Sequence, residues 1–208
     1  GGHAFKGCNI LRTVNYNANN CISAADVVGK SVYSAFEDCK SITTLNLGGD
    51  VVIGASASTS STRAATRDYI YIAEGKTVVL DLTGFNISHS DVENKYAFNN
   101  HGTFIIKDSK GGGSINARGI YNGYGDGAAN VASAKITVLS GTINAKGTNG
   151  GAAIFNYGVA NVNGGKFTSI GGYSLNNQAG AEMNITDGVE VTGGIYNNQD
   201  AELTVDGG

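Results

Sequence analysis

The chain has 208 residues, a net charge of −3 and only 15% charged residues. That balance excludes a nucleic-acid surface, because neutralising phosphates takes clustered lysine and arginine. Apolar residues make up 41%, enough for a core, yet no apolar run is long enough to span a bilayer.

Residues 1–22 are polar and rich in asparagine, and Asn15, Asn17 and Asn19 alternate with other side chains in a way that permits a short edge strand. His3 reads as an ordinary surface histidine. Cys8, Cys21 and Cys39 read first as free or buried thiols; they allow one disulfide at most, for which Cys8–Cys21 is the favoured pair, and their spacing carries no zinc signature. Ser23-Ala24-Ala25-Asp26 resembles a capping box with Asp in place of Glu. Val27, Val28, Val32, Ala35, Phe36 and Cys39 then recur at helical spacing. A helix over 23–39 is expected, weakened by Gly29 and suited to cover an apolar surface. Residues 1–40 are thus expected to form an N-terminal cap.

Two short strands are expected around Gly48-Gly49, from Ile42 to Leu47 and from Val51 to Ile53. Residues 55–68, mostly Ala, Ser and Thr with Arg63 and Arg67, read as a loop. Strands are expected again over Tyr69–Ala73 and Thr77–Leu82.

From there one phrase recurs: an apolar residue, an asparagine, a short turn, an alternating strand, then a glycine turn. The asparagines are Asn99, Asn122, Asn156, Asn176 and Asn197, spaced 23, 34, 20 and 21. A second column is Ile106, Val138, Val162, Ile185 and Val205. A third is Ile87, Ile115, Ile143, Phe167 and Val191. The first two columns lengthen at the same place, so one repeat carries an insertion, assigned to 119–132. A unit of this size with short strands is half a propeller blade and fits one coil of a parallel β-helix. Stacking would align the asparagines as a ladder that also holds turns. The fold expected is all-β: a right-handed, single-stranded parallel β-helix over 41–208 with a short N-terminal capping helix.

Three stretches carry a resemblance. Tyr33–Lys40 running into Thr44–Ile53 resembles the helix-then-strand opening of bacterial surface proteins of the pectate-lyase-like β-helix class. Ile72–Ser88 and Asn100–Ser109 are similar to their next coils. The likeness covers residues 30–208. It implies the fold and an extracellular setting, on a cell surface or a virion, as in adhesins, phage fibres and tailspikes. It leaves function to be argued from a site.

Polysaccharide lysis or hydrolysis on such a scaffold needs clustered carboxylates and a proton acceptor. Asp187 and Asp206 are expected in one column near Asn163 and Asp108, but each sits where a turn begins. His89 and His101 have no evident partner, so no catalytic residues, metal ligands or cofactors are assigned. Recognition is expected from loops: Arg63 and Arg67 in one, and Tyr121, Tyr124 and Asp126 in the other. The expected function is therefore a non-catalytic attachment module for a glycan or a surface protein. The alternatives are a polysaccharide lyase or glycoside hydrolase on the same scaffold, and a purely architectural fibre or spacer. The chain starts at Gly1-Gly2 and stops partway through another copy of the phrase. Both ends suggest a piece of a longer object, with more chain or a homo-oligomeric partner covering the last coil.

Overall fold

A computed structural model describes residues 10–16, 43–53, 69–125 and 127–207. The expected cap helix, the three cysteines, His3, Arg63, Arg67 and Asp126 lie outside the described residues. Among the described residues every regular element is a strand, and all strand pairs are parallel.

Each turn of the chain lays one strand on each of three sheets. The first coil is Thr44–Leu47, Val51–Ile53 and Ile70–Ile72. The second is Thr77–Asp81, Asn86–His89 and Phe98–Asn100; the third is Thr103–Lys107, Ser114–Ala117 and Gly119–Asn122. The fourth is Lys135–Val138, Thr142–Ala145 and Ala152–Asn156; the fifth is Val159–Val162, Gly165–Ser169 and Leu175–Asn177. The sixth is Glu182–Ile185, Val189–Thr192 and Ile195–Asn197, and Glu202–Val205 follows it on the first sheet. Thr13–Tyr16 pairs with Thr44–Leu47 at the other edge of that sheet, as the asparagine alternation suggested. Three stacked parallel sheets of this kind are compatible with a parallel β-helix.

Alternation decides what faces inward. In the first sheet Val78, Phe104, Ile136, Ala160, Met183 and Leu203 align, as do Leu80, Ile106, Val138, Val162, Ile185 and Val205. In the second, Val51, Ile87, Ile115, Ile143, Phe167 and Val191 align. Most of these side chains are fully buried and form one continuous core. In the last coil the inward residues Val189, Val191, Ile195 and Leu203 are half-buried, and Val205 is 54% exposed.

The asparagine ladder is real but differs from the expected column in two coils. The register pairs Tyr121 with Asn99 and Phe155 with Asn176, so Asn99 and Asn176 belong to the outward column. The inward column is Asn100, Asn122, Asn156, Asn177 and Asn197, beginning above Ile72. The Nδ2 of each of the first four donates to the Oδ1 of the next coil, at 2.7, 2.7, 2.8 and 2.8 Å. The same four also donate to a backbone carbonyl in the first-sheet strand that follows the next ladder asparagine, from Lys135, Val159, Glu182 or Glu202. Asn100 and Asn156 further accept from the N–H two residues on, at Gly102 and Gly158. They therefore hold their own turns and stitch the coils together. Buried amides satisfied on both sides stabilise the stack, whereas an unpaired one would cost it.

The insertion starts later than expected. Gly119–Asn122 is a regular strand of the third sheet, and the extra chain is 123–134.

Candidate functional site

The third sheet carries an outward column of Tyr71, Asn99, Tyr121, Phe155, Asn176 and Tyr196, in which Asn99 alone is buried. The insertion leaves this sheet directly after Asn122 and so carries Tyr124 back beside Tyr121. The two rings stack at 4.3 Å and 24°. On the other face of Tyr121 lies Tyr96, at 3.8 Å and 26°. Tyr157, in the turn of the next coil, packs against Tyr124 at 5.5 Å, and Phe155 leans on Tyr121 at 5.6 Å. The guanidinium of Arg118 lies 5.7 Å from the centre of the Tyr96 ring. The result is a half-buried aromatic ridge on the outer face of one sheet. Offset stacking of this kind adds about 0.5–1.5 kcal/mol per pair beyond burial.

Its electrostatics follow from crowding. Burial first, then the neighbouring Tyr96 hydroxyl, pushes Tyr121 far above the usual phenol range. Burial likewise raises Tyr96 and Tyr157. These hydroxyls stay protonated at any physiological pH and act as neutral donors and acceptors.

The loop that carries Tyr124 is fastened from below. His101 Nε2 lies 2.7 Å from the Tyr124 carbonyl, and Asn99 Nδ2 donates to the same oxygen at 3.1 Å. A carbonyl only accepts, so Nε2 carries a proton; Nδ1 faces the Tyr71 hydroxyl at 3.0 Å. Gly123 (φ +82°) makes the turn into the loop, where a Cβ would run into the Val131 carbonyl. Two polar atoms in this region are buried without a partner: Oδ1 of Asn99 and Nε of Arg118. An acceptor and a donor left idle beside a row of tyrosines are unusual, since buried polar groups are normally paired.

No family model, curated protein or solved structure matches the chain in the comparisons made. The site therefore stands on its own chemistry.

The sequence brought forward Tyr121 and Tyr124, and the fold places them in contact. It missed Tyr96, Tyr157 and Arg118, and it read Asn99 as a member of the ladder. Tyr96 lies 25 residues before Tyr121, about one coil, and that spacing was the available signal. His101, which had no evident partner, is the fastening of Tyr124. His89 is buried in the second sheet, and its Nδ1 accepts from the Asp91 N–H at 2.9 Å.

The acids fall differently from the expected column. Asp206 stacks on Thr186, while Asp187 lies level with Gly207. Asp187 accepts from the Gly188 N–H. Asp108 accepts the Gly84 and Gly113 N–H groups on its two oxygens, both at 2.7 Å. Burial works to raise the Asp81 carboxyl, but bonds from Ser109, Thr83 and Lys107 hold it below the usual carboxylate range. Lys107 Nζ lies 3.2 Å from it. These carboxylates are engaged in turns and strand edges. Among the described residues, no group of three or more His, Cys, Asp or Glu is placed to hold a metal ion.

Proposed function

We propose that the chain is a non-catalytic attachment module that binds glycan through the tyrosine ridge. We take the scaffold to be a right-handed single-stranded β-helix of the pectate-lyase-like class, displayed on a bacterial surface or a phage particle. Handedness rests on the strong preference of parallel crossovers.

The observation that carries the reading is the gathering of Tyr96, Tyr121, Tyr124 and Tyr157 into one ridge, with Asn99 Oδ1 and Arg118 Nε unpartnered beside it. Sugars offer apolar C–H faces and hydroxyl edges. A ridge of aromatic carbon bordered by neutral phenol hydroxyls complements both. The engagement of Asp81, Asp108 and Asp187 with backbone N–H groups supports a binding role over acid–base chemistry. Arg63, Arg67 and Asp126 stay as proposed contacts of the same module.

The test is a glycan array probed with purified protein, followed by calorimetry on the hits and assay of the same glycans for new reducing ends or unsaturated products. Binding without product is expected. Tyr124→Ala should weaken it about tenfold, the value of one aromatic contact. Product release, or a Tyr124→Ala variant that binds as well as wild type, would overturn the reading.

A further inference from the structure

The ridge is not the sole aromatic feature on this face. The outward column continues from Tyr121 through Phe155 and Asn176 to Tyr196 in the sixth coil. Tyr173, in the segment leading into the third-sheet strand of the fifth coil, meets Tyr196 at 5.3 Å and 39°. Tyr173 is 47% exposed, and Ile170 just before it is 61% exposed. The two aromatic features differ in kind. In the ridge, both faces of Tyr121 are covered by Tyr96 and Tyr124. In the distal pair the rings are splayed, so ring surface stays open to solvent.

We propose that Tyr173 and Tyr196 form a second subsite of the glycan site, and that the ligand is a linear, uncharged saccharide lying along the stacking axis. This rests on the glycan reading of the ridge. Neighbouring strands of a sheet lie about 4.8 Å apart, so Tyr121 and Tyr196, three strand spacings apart, are separated by about 14 Å. An extended saccharide must be several sugars long to cover that distance. Between the two aromatic ends the column offers Phe155, then Asn176, whose Oδ1 accepts from Gln178 Nε2. A strip one side chain wide that passes from ring to amide to ring suits a narrow chain with alternating apolar faces and hydroxyl edges. Arg118 lies only at the ridge end, against Tyr96, and the column from Tyr121 to Tyr196 carries no charged side chain, so a sugar charged along its length finds no counter-ion on the strip.

The experiment is calorimetry with size-graded β-1,4-linked glucose and N-acetylglucosamine oligomers, from disaccharide to hexasaccharide. The expected result is that the hexasaccharide binds about tenfold tighter than the disaccharide, one further aromatic contact. Tyr173→Ala, in an exposed segment, and Tyr196→Thr, which keeps a strand-forming residue, should each remove that advantage and leave disaccharide affinity unchanged. Tyr124→Ala should weaken every length. Binding that is independent of length, or insensitive to both distal variants, overturns the second subsite and leaves the ridge standing. If no oligomer of either series binds at any length, the second subsite falls together with a neutral-glycan ridge.

Discussion

Replacing Asn156 with alanine cuts the ladder at its middle. Asn156 is fully buried. Its Oδ1 accepts from Asn122 Nδ2 and from the Gly158 N–H, and its Nδ2 donates to Asn177 Oδ1 and the Glu182 carbonyl. After truncation Asn122 Nδ2 still reaches the carbonyls of Ala134 and Val159. The Gly158 N–H and Asn177 Oδ1 lose the partners described for them. Each buried orphan costs about 1–3 kcal/mol, so about 2–6 kcal/mol is expected, a large share of a typical 5–15 kcal/mol stability. The control is Asn197→Ala in the exposed last coil. There Asn177 Nδ2 keeps the Ala181 and Glu202 carbonyls and water replaces the rest, so under about 1 kcal/mol is expected. Urea unfolding, followed by far-UV circular dichroism and tyrosine fluorescence, measures both variants. The transitions by the two probes must coincide before a free energy is assigned. Asn156→Leu decides the cause, because it restores apolar volume and leaves the same two orphans. A leucine variant as stable as wild type would refute the argument from hydrogen-bond satisfaction.

Other outcomes follow from single features. Gly119 has φ +144°, and a Cβ there would collide with the Ala152 carbonyl at the register shift between the third and fourth coils. Gly119→Ala should therefore lose at least about 2 kcal/mol in the same unfolding assay. Tyr96, Tyr121 and Tyr157 have phenol pKa values raised in the fold, so their contribution is fully present below the unfolded value of about 10. It declines as pH rises from there through the folded values, because the unfolded chain releases those protons first, by up to about 1.4 kcal/mol per pH unit for each group. Thermal melts between neutrality and high pH should show this decline, and Tyr121→Phe should flatten it; equal slopes would contradict the assignment. His101→Phe keeps a ring but removes the bond to the Tyr124 carbonyl. Amide exchange across 123–131 should accelerate while the ladder amides stay protected.

Much of the fold was legible because one face of every strand must be apolar. The Ile106 and Ile87 columns fell in register as read, since a β-strand alternates with period two and their neighbours are polar. The asparagine column slipped where the sequence offers a choice, at Asn99-Asn100 and Asn176-Asn177. Anchoring on the residue just before the asparagine mixed inward Phe98 and Leu175 with outward Tyr121, Phe155 and Tyr196. The pattern apolar–any–Asn resolves it: Phe98 to Asn100, Ile120 to Asn122, Ile154 to Asn156, Leu175 to Asn177 and Ile195 to Asn197. The site was half legible. Tyrosines in an insertion pointed to Tyr121 and Tyr124, but Tyr96 and Arg118 join them only through coil stacking, for which the one-coil step from Tyr96 to Tyr121 was the signal in the sequence. The acid column slipped by one for the same reason as the asparagines, since glycines and turn residues carry no alternation to count against.

Every amide in the ladder points the same way, giving its N–H to the coil that follows and its oxygen to the coil that precedes. Each coil thus presents one interface below and its complement above, as identical bricks do. Length then becomes a variable separate from fold. Excising 157–177, one full 21-residue step of the ladder, would place Asn197 over Asn156 and bring the sixth coil onto the fourth with donor still meeting acceptor. The object would shorten by about 4.8 Å and keep its cross-section. The same joint lets a coil be duplicated, so the distance between the tyrosine ridge and the distal tyrosine pair can be set by counting coils without redesigning either.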